Sequence, residues 1–233
     1  MAMTTMDTTT TMTTTTSRGS DLARLLQLAS PTLPVGAYSY SQGLESAVDA
    51  GIVRDAASAG QWIADVLEFS IGRMEAPILS RMMASVTDTK KLKHWNDLFL
   101  ASRETAELRA ETVQMGYSLN RLLPELKIDP VALDEPSFPA AFAAAVHAWK
   151  IDPHEALQAY LWSWLENQVM AAVKAVPLGQ TDGQKLLLSL GERIAPLAAQ
   201  AAAMSDDELG NFAPGLALLS SRHETQYSRI FRS

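Results

Sequence analysis

The chain contains no cysteine. That removes disulfides, thiolate metal sites and cysteine nucleophiles together, and it fits a reducing compartment, so a cytoplasmic protein is expected. Histidine is scarce: there are four, His94, His147, His154 and His223. His223-Glu224 begins like a zinc-binding helix motif, but Tyr227 stands where the second histidine is required. No glutamate has a histidine three residues later, as a di-iron bundle demands. No glycine-rich loop ends in Gly-Lys-Ser/Thr, and neither GxGxxG nor GxSxG occurs. The chain is also short of positive charge, with 19 Lys and Arg against 26 Asp and Glu, a net charge of -7. Such a surface repels nucleic acid and anionic lipid, and neither is expected as a partner. No apolar run reaches the ~20 residues that span a bilayer, and no secretory leader is visible. The expectation is a protein without its own chemistry, with no tightly bound cofactor and no metal site. A catalytic carboxylate pair is the enzyme reading left open.

What is present is a globular balance, 47% hydrophobic and 19% charged. Residues Met1 to Ser20 are nearly all threonine with a little methionine. Such a run has nothing to bury and forms poor helix, so residues 1–20 read as a disordered tail. The remainder, 21–233, reads as one all-α domain, a helical bundle of about eight to ten helices. A short apolar helix from Asp21 to Ala29 comes first, then one from near Ser41 to Gly51. Asp55 opens a long segment that Pro77 should kink or break. Thr89 to Leu123 reads as one helix ended by Pro124. Proline crowds Lys127 to Pro139, a loop, and Phe138 to Trp149 is an alanine-rich helix. Asp152-Pro153-His154-Glu155 is a start signal for a helix to Val176. PLGQTDGQ reads as a loop, followed by a helix from Lys185 to Met204 and a capping box at Ser205 to Glu208.

Two segments stand apart from this pattern. In SPTLPVGAYSYSQGLE, Ser30 to Glu45, Pro31 and Pro34 end the first helix and Gly36 permits a turn. Tyr38 and Tyr40 follow, amphipathic residues suited to partner contact. The plain alternative is a rigid interhelix loop, with Glu45 a solvated or locally paired helix residue. At the other end, SRHETQYSRIFRS, Ser221 to Ser233, is polar and carries Arg222, Arg229 and Arg232 on an acidic chain. Arginine and aromatics are enriched in interface anchors, so this reads either as a frayed terminus or as a flexible tail that orders on a partner. Within the helix from Asp152, the polar trio Glu166-Asn167-Gln168 interrupts apolar neighbours and needs hydrogen-bond partners, expected within the chain.

Three separated blocks carry a family resemblance: LLQLASPTLPVGAYSYSQGLESAV from Leu25 to Val48, NQVMAAVKAVPLGQTDGQKLL from Asn167 to Leu187, and RHETQYSRIFRS from Arg222 to Ser233. In these the chain resembles the urease accessory protein F family. The resemblance implies an all-α, usually dimeric, non-catalytic scaffold in nickel delivery to urease. It implies two protein partners, the accessory D/H protein and the G GTPase, with docking on apo-urease and GTP-dependent nickel insertion. Partner binding is expected at Tyr38, Glu45, Arg222, Glu224, Tyr227, Arg229, Phe231 and Arg232; of these the resemblance ties Tyr38 and Arg229 to GTPase recruitment and the tail as a whole to the D/H protein. Nickel is expected only in transit, by an internal route, because the terminal cysteine of some relatives is absent. The competing readings are a helical enzyme built on Glu45, Tyr38 and Arg229, and an unrelated dimeric helical module.

Overall fold

A computed structural model describes residue 19 and residues 21–233. The reading of 1–20 as a disordered tail falls outside the described residues, Gly19 aside. The described chain is all-α. Helix α1 covers 21–29. It is followed by α2 (Leu44–Asp49), α3 (Ala56–Val66), α4 (Ala76–Ser85), α5 (Thr89–Ala101), α6 (Ala106–Leu122), α7 (Phe138–Trp149), α8 (Pro153–Ala175), α9 (Gln180–Gly191), α10 (Ile194–Ala203) and α11 (Pro214–His223). No described helix is long and apolar enough to cross a membrane.

Helix α8 runs through the middle, with α2, α3, α4, α9 and α10 packed on it. Its start is as the sequence dictates: the Asp152 carboxylate accepts from the backbone N–H of His154 and Glu155 at 2.9 and 3.0 Å, with Pro153 in the first turn. Helix α7 buries every residue from Phe138 to Val146. Its alanines let α6 approach closely. Phe138 and Phe142 close the core against Tyr160 of α8, with ring centroids 5.6 and 5.1 Å apart.

Three expectations need correction. Pro77 does not break the segment opened by Asp55. The chain stays helical because Leu67–Glu75 widens to π-helix before Pro77 enters the first turn of α4. The Arg73 carbonyl, four residues before Pro77, accepts instead from Gly210 N–H at 3.3 Å, and Phe69 O accepts from Phe212 N–H at 3.0 Å. A returning segment therefore satisfies carbonyls that this geometry releases.

Thr89 to Leu123 is two helices. Thr105 caps α6 through Leu108 N–H, and the Ser102 hydroxyl donates to Phe99 O. The break sends Arg103 inward, where its side chain lies on the Phe99 ring and pairs with Glu75 of the π-helical stretch at 3.1 Å. Finally, Gln180–Gln184 is helix rather than loop, and the next break falls at Glu192–Arg193, which leaves Pro196 in the opening turn of α10. That turn needs no donor from it.

Close packing of α6 against the loop before α7 rests on Gly116. A Cβ there would stand 2.0 Å from Pro136 O and 2.6 Å from the Ser137 carbonyl carbon. Both are backbone and neither can swing away. Gly116→Ala is expected to destabilise the protein by roughly 2–4 kcal/mol in urea titrations. Gly210→Ala, where nothing lies within 4 Å, should change stability by less than about 0.5 kcal/mol.

Candidate functional site

The two unusual sequence segments meet. The backbone from Ser39 to Ser41 and the last two residues exchange hydrogen bonds: Arg232 N–H donates to Ser39 O, and Ser41 N–H to Ser233 O, both at 2.8 Å. The Ser41 hydroxyl also donates to Ser233 O. Gly36, with φ +81°, turns the chain into a short 3-10 turn at Ala37–Ser39. Gln42 and Gly43, both at positive φ, turn it again into α2. The first turn of α2 then holds Glu45 beneath the arriving terminus.

Glu45 is not a solvated helix residue. It is buried, and its Oε1 accepts from Ile230 N–H at 2.6 Å while its Oε2 accepts from Phe231 N–H at 2.9 Å. Hydrogen bonds to an ionised group contribute about 1.5–3 kcal/mol each, more than neutral ones. The same Oε2 lies 3.1 Å from His223 Nε2, and His223 Nδ1 lies 2.7 Å from Glu107 Oε2 on α6. Arg229 donates to the other Glu107 oxygen at 2.6 Å. Phe231 is 6% exposed and Ser233 fully buried. The C-terminal arm, 224–233, is laid back on its own chain.

Of the residues expected to bind partners, Tyr38, Arg222, Glu224, Tyr227, Arg229 and Arg232 lie on the surface, as does Ile230. Tyr38 is 64% exposed and Tyr227 completely so. Glu224 is engaged locally, where its carboxylate accepts from Ala106 and Glu107 N–H and so caps α6. Lys174 of α8 ties the two segments on the outside, with its ammonium 6.0 Å from the Tyr38 ring centroid and 5.8 Å from that of Phe231. Glu45 and Phe231 are enclosed, and neither faces solvent.

Behind this surface lies a cavity of about 190 Å³. Leu33, Leu108, Met115 and Phe138 form its apolar wall, with Tyr38, Glu166 and Lys174 also in its lining. Its polar lining includes Glu75, Arg103, Tyr160, Glu111 and Gln42. The Tyr160 hydroxyl donates to Glu75 at 2.5 Å, and burial, then the Glu75 charge, pushes its pKa well up. Glu111 accepts from Gln42 Nε2 at 2.7 Å and from the Ser233 hydroxyl at 2.8 Å. Burial raises its pKa to about 7 despite these donors. The polar trio of α8 finds partners only in part. Asn167 donates to Tyr40 O, but Gln168 Nε2 is buried without a partner. Among the described residues, no three carboxylate or imidazole groups are placed to hold a metal ion.

Glu107, Glu111, His223 and Lys174 were not singled out as site residues from sequence. A signal existed for the first two: Glu107 and Glu111 interleave with Leu108, Thr112, Met115 and Leu119, the buried stripe of α6. Charges on such a stripe need partners. For His223 no local signal existed, since both of its partners are more than 100 residues away.

A carboxyl group whose pKa is higher folded than unfolded holds its proton preferentially in the folded state. Its contribution is present at low pH and is lost as the pH rises to about 7. Unfolding free energy should therefore fall between about pH 4.5 and 7, by on the order of 3 kcal/mol from this group. Glu111→Gln should remove that slope in denaturant titrations across the same range.

The UreF family model matches residues 53–191. Curated relatives match over more than nine tenths of the chain. A urease accessory protein UreF of Azoarcus sp. (strain BH72) is 59% identical over 91% of this chain and 95% of its own. Those of Dechloromonas aromatica (strain RCB) and Methylobacillus flagellatus are 55% and 52% identical, over 91% and 93% of this chain and 97% and 100% of theirs. All three are named as accessory proteins rather than enzymes. On the match to the family model and to these relatives, the chain belongs to the UreF family.

Proposed function

We propose that this protein serves urease maturation as a non-catalytic scaffold, joining the accessory D/H protein to the G GTPase and aiding GTP-dependent nickel insertion into apo-urease. The observation that carries the reading is the single surface made by two segments far apart in the sequence. There the Tyr38 turn and the C-terminal arm with Arg229, Ile230 and Arg232 lie side by side, with tyrosine, isoleucine and arginine outward. Aromatic and arginine side chains of this kind anchor protein interfaces. An acidic chain that works as a dimer in the cytoplasm belongs to the same proposal.

Nickel enters as cargo. The cavity behind the surface offers carboxylate oxygens from Glu75, Glu111 and Glu166 beside an apolar wall, donors compatible with passage of a divalent cation but not gathered at one point to retain it. The enzyme reading is disfavoured. Glu45 spends both oxygens on the arm and His223, and Tyr38 stands outside that network.

Point variants test this better than truncation, because removing the arm would uncover Phe231's seat and the buried Glu45 and Glu111. Arg229→Ala should weaken co-elution with the GTPase at least tenfold, as expected for a partner-facing arginine. Its loss of stability should stay within about 1 kcal/mol, since the Arg229 side chain of the pair with Glu107 is 38% exposed. Undiminished co-elution would overturn the proposal, as would turnover of a small molecule by the chain alone.

A further inference from the structure

His223 has no exposed surface, and each of its ring nitrogens faces a carboxylate oxygen. A neutral imidazole has one N–H and one lone pair, so it could satisfy only one of those contacts. A proton shared between the ring and either carboxylate rests on the ring, because imidazole is the stronger base. Glu45 is already accepting from Ile230 and Phe231, and Glu107 from Arg229. We infer that His223 is an imidazolium held between Glu45 and Glu107, and that this proton is the latch positioning the C-terminal arm. The inference rests on the arm being the partner-binding element.

The charges around the ring close on themselves. His223 and Arg229 supply two positive groups, and Glu45 and Glu107 two negative ones. The elements that contribute are α2 with Glu45, α6 with Glu107 and, one turn on, Glu111, and the arm with Arg229. Arg222 and Glu224 flank His223 on its own strand of sequence, and Glu224 is committed to the α6 N-terminus. When the ring proton leaves for solvent, one ring nitrogen turns from donor to lone pair and faces a carboxylate oxygen within 3.1 Å. That buried contact is left with no hydrogen between two acceptors beneath the arm, which favours release. Release uncovers Phe231, the Ser41 hydroxyl and Glu111, so a partner can capture the arm without first breaking an intact clamp. His223 thus acts through Glu45 and Glu107, as a positioning residue.

The test uses the isolated chain. In ¹⁵N spectra, both ring nitrogens of His223 are expected to carry protons while the amides of Ile230 and Phe231 are protected from exchange. On raising the pH, that protection, corrected for intrinsic rates, should fall by about tenfold or more as the ring proton is lost. Glu111 also bonds the arm through Ser233 and carries a pKa raised to about 7, so the fall should persist in Glu111→Gln and disappear in His223→Gln, whose arm should be unprotected throughout. A neutral ring beneath a protected arm would overturn the latch, and that reading needs no variant to fold. Protection in His223→Gln equal to the parent would overturn it equally. A loosened arm in His223→Gln with unchanged partner co-elution would uphold the latch and sink the partner reading instead.

Discussion

One carboxylate joins the two ends of this molecule. Glu45 lies near the start of the described chain, yet both of its oxygens are spent on residues from the last eleven. Burying it has a cost only these donors offset. The arm in turn has no helix or sheet of its own. Its hydrogen bonds go to Glu45, to Glu107 through Arg229, to Glu111 through Ser233, and to the backbone of Ser39 and Ser41. The order of the surface, the closure of the cavity behind it and the placement of Tyr38 beside Phe231 all follow from whether that set of bonds is made.

The cavity illustrates how polar groups are tolerated inside an apolar bundle. Glu75 and Arg103 pair, Tyr160 closes on Glu75, and the Arg103 guanidinium lies over Phe99. Glu111 has no cation of its own and instead sits near its titration point. A buried pair of opposite charges is rigid, whereas a buried acid close to neutral can change its charge for little free energy. Glu75 and Glu111, two of the three carboxylates lining this cavity, thus have different physical characters, set by a single arginine in the linker between α5 and α6.

Much of the helical framework was legible because its signals are local. Asp55, Asp152 and Ser137 cap the helices they precede, and Gly51 follows α2 at positive φ. The failures share a cause. Pro77 is tolerated because Gly210, over 130 residues away, supplies a donor, and the α5–α6 break exists because Arg103 has a distant partner in Glu75. The site was half legible. Its two segments stood out by composition, but whether Glu45 and Phe231 face out or in depends on His223 and Glu107, which meet only in three dimensions. Surface-facing Tyr38, Tyr227 and Arg229 could be read as such, and the residues that seat them could not.

The widened turns ahead of Pro77 have a bearing on how such chains vary. A π-helical stretch carries more residues per turn than an α-helix, and each surplus residue rotates everything beyond it by about 100°. Ile78, Leu79 and Met82 point into the core only at the present count. Between Val66 and Ala76, therefore, homologous chains should tolerate changed letters far more readily than a lost or gained residue. An alignment gap there would mark a differently wound rod.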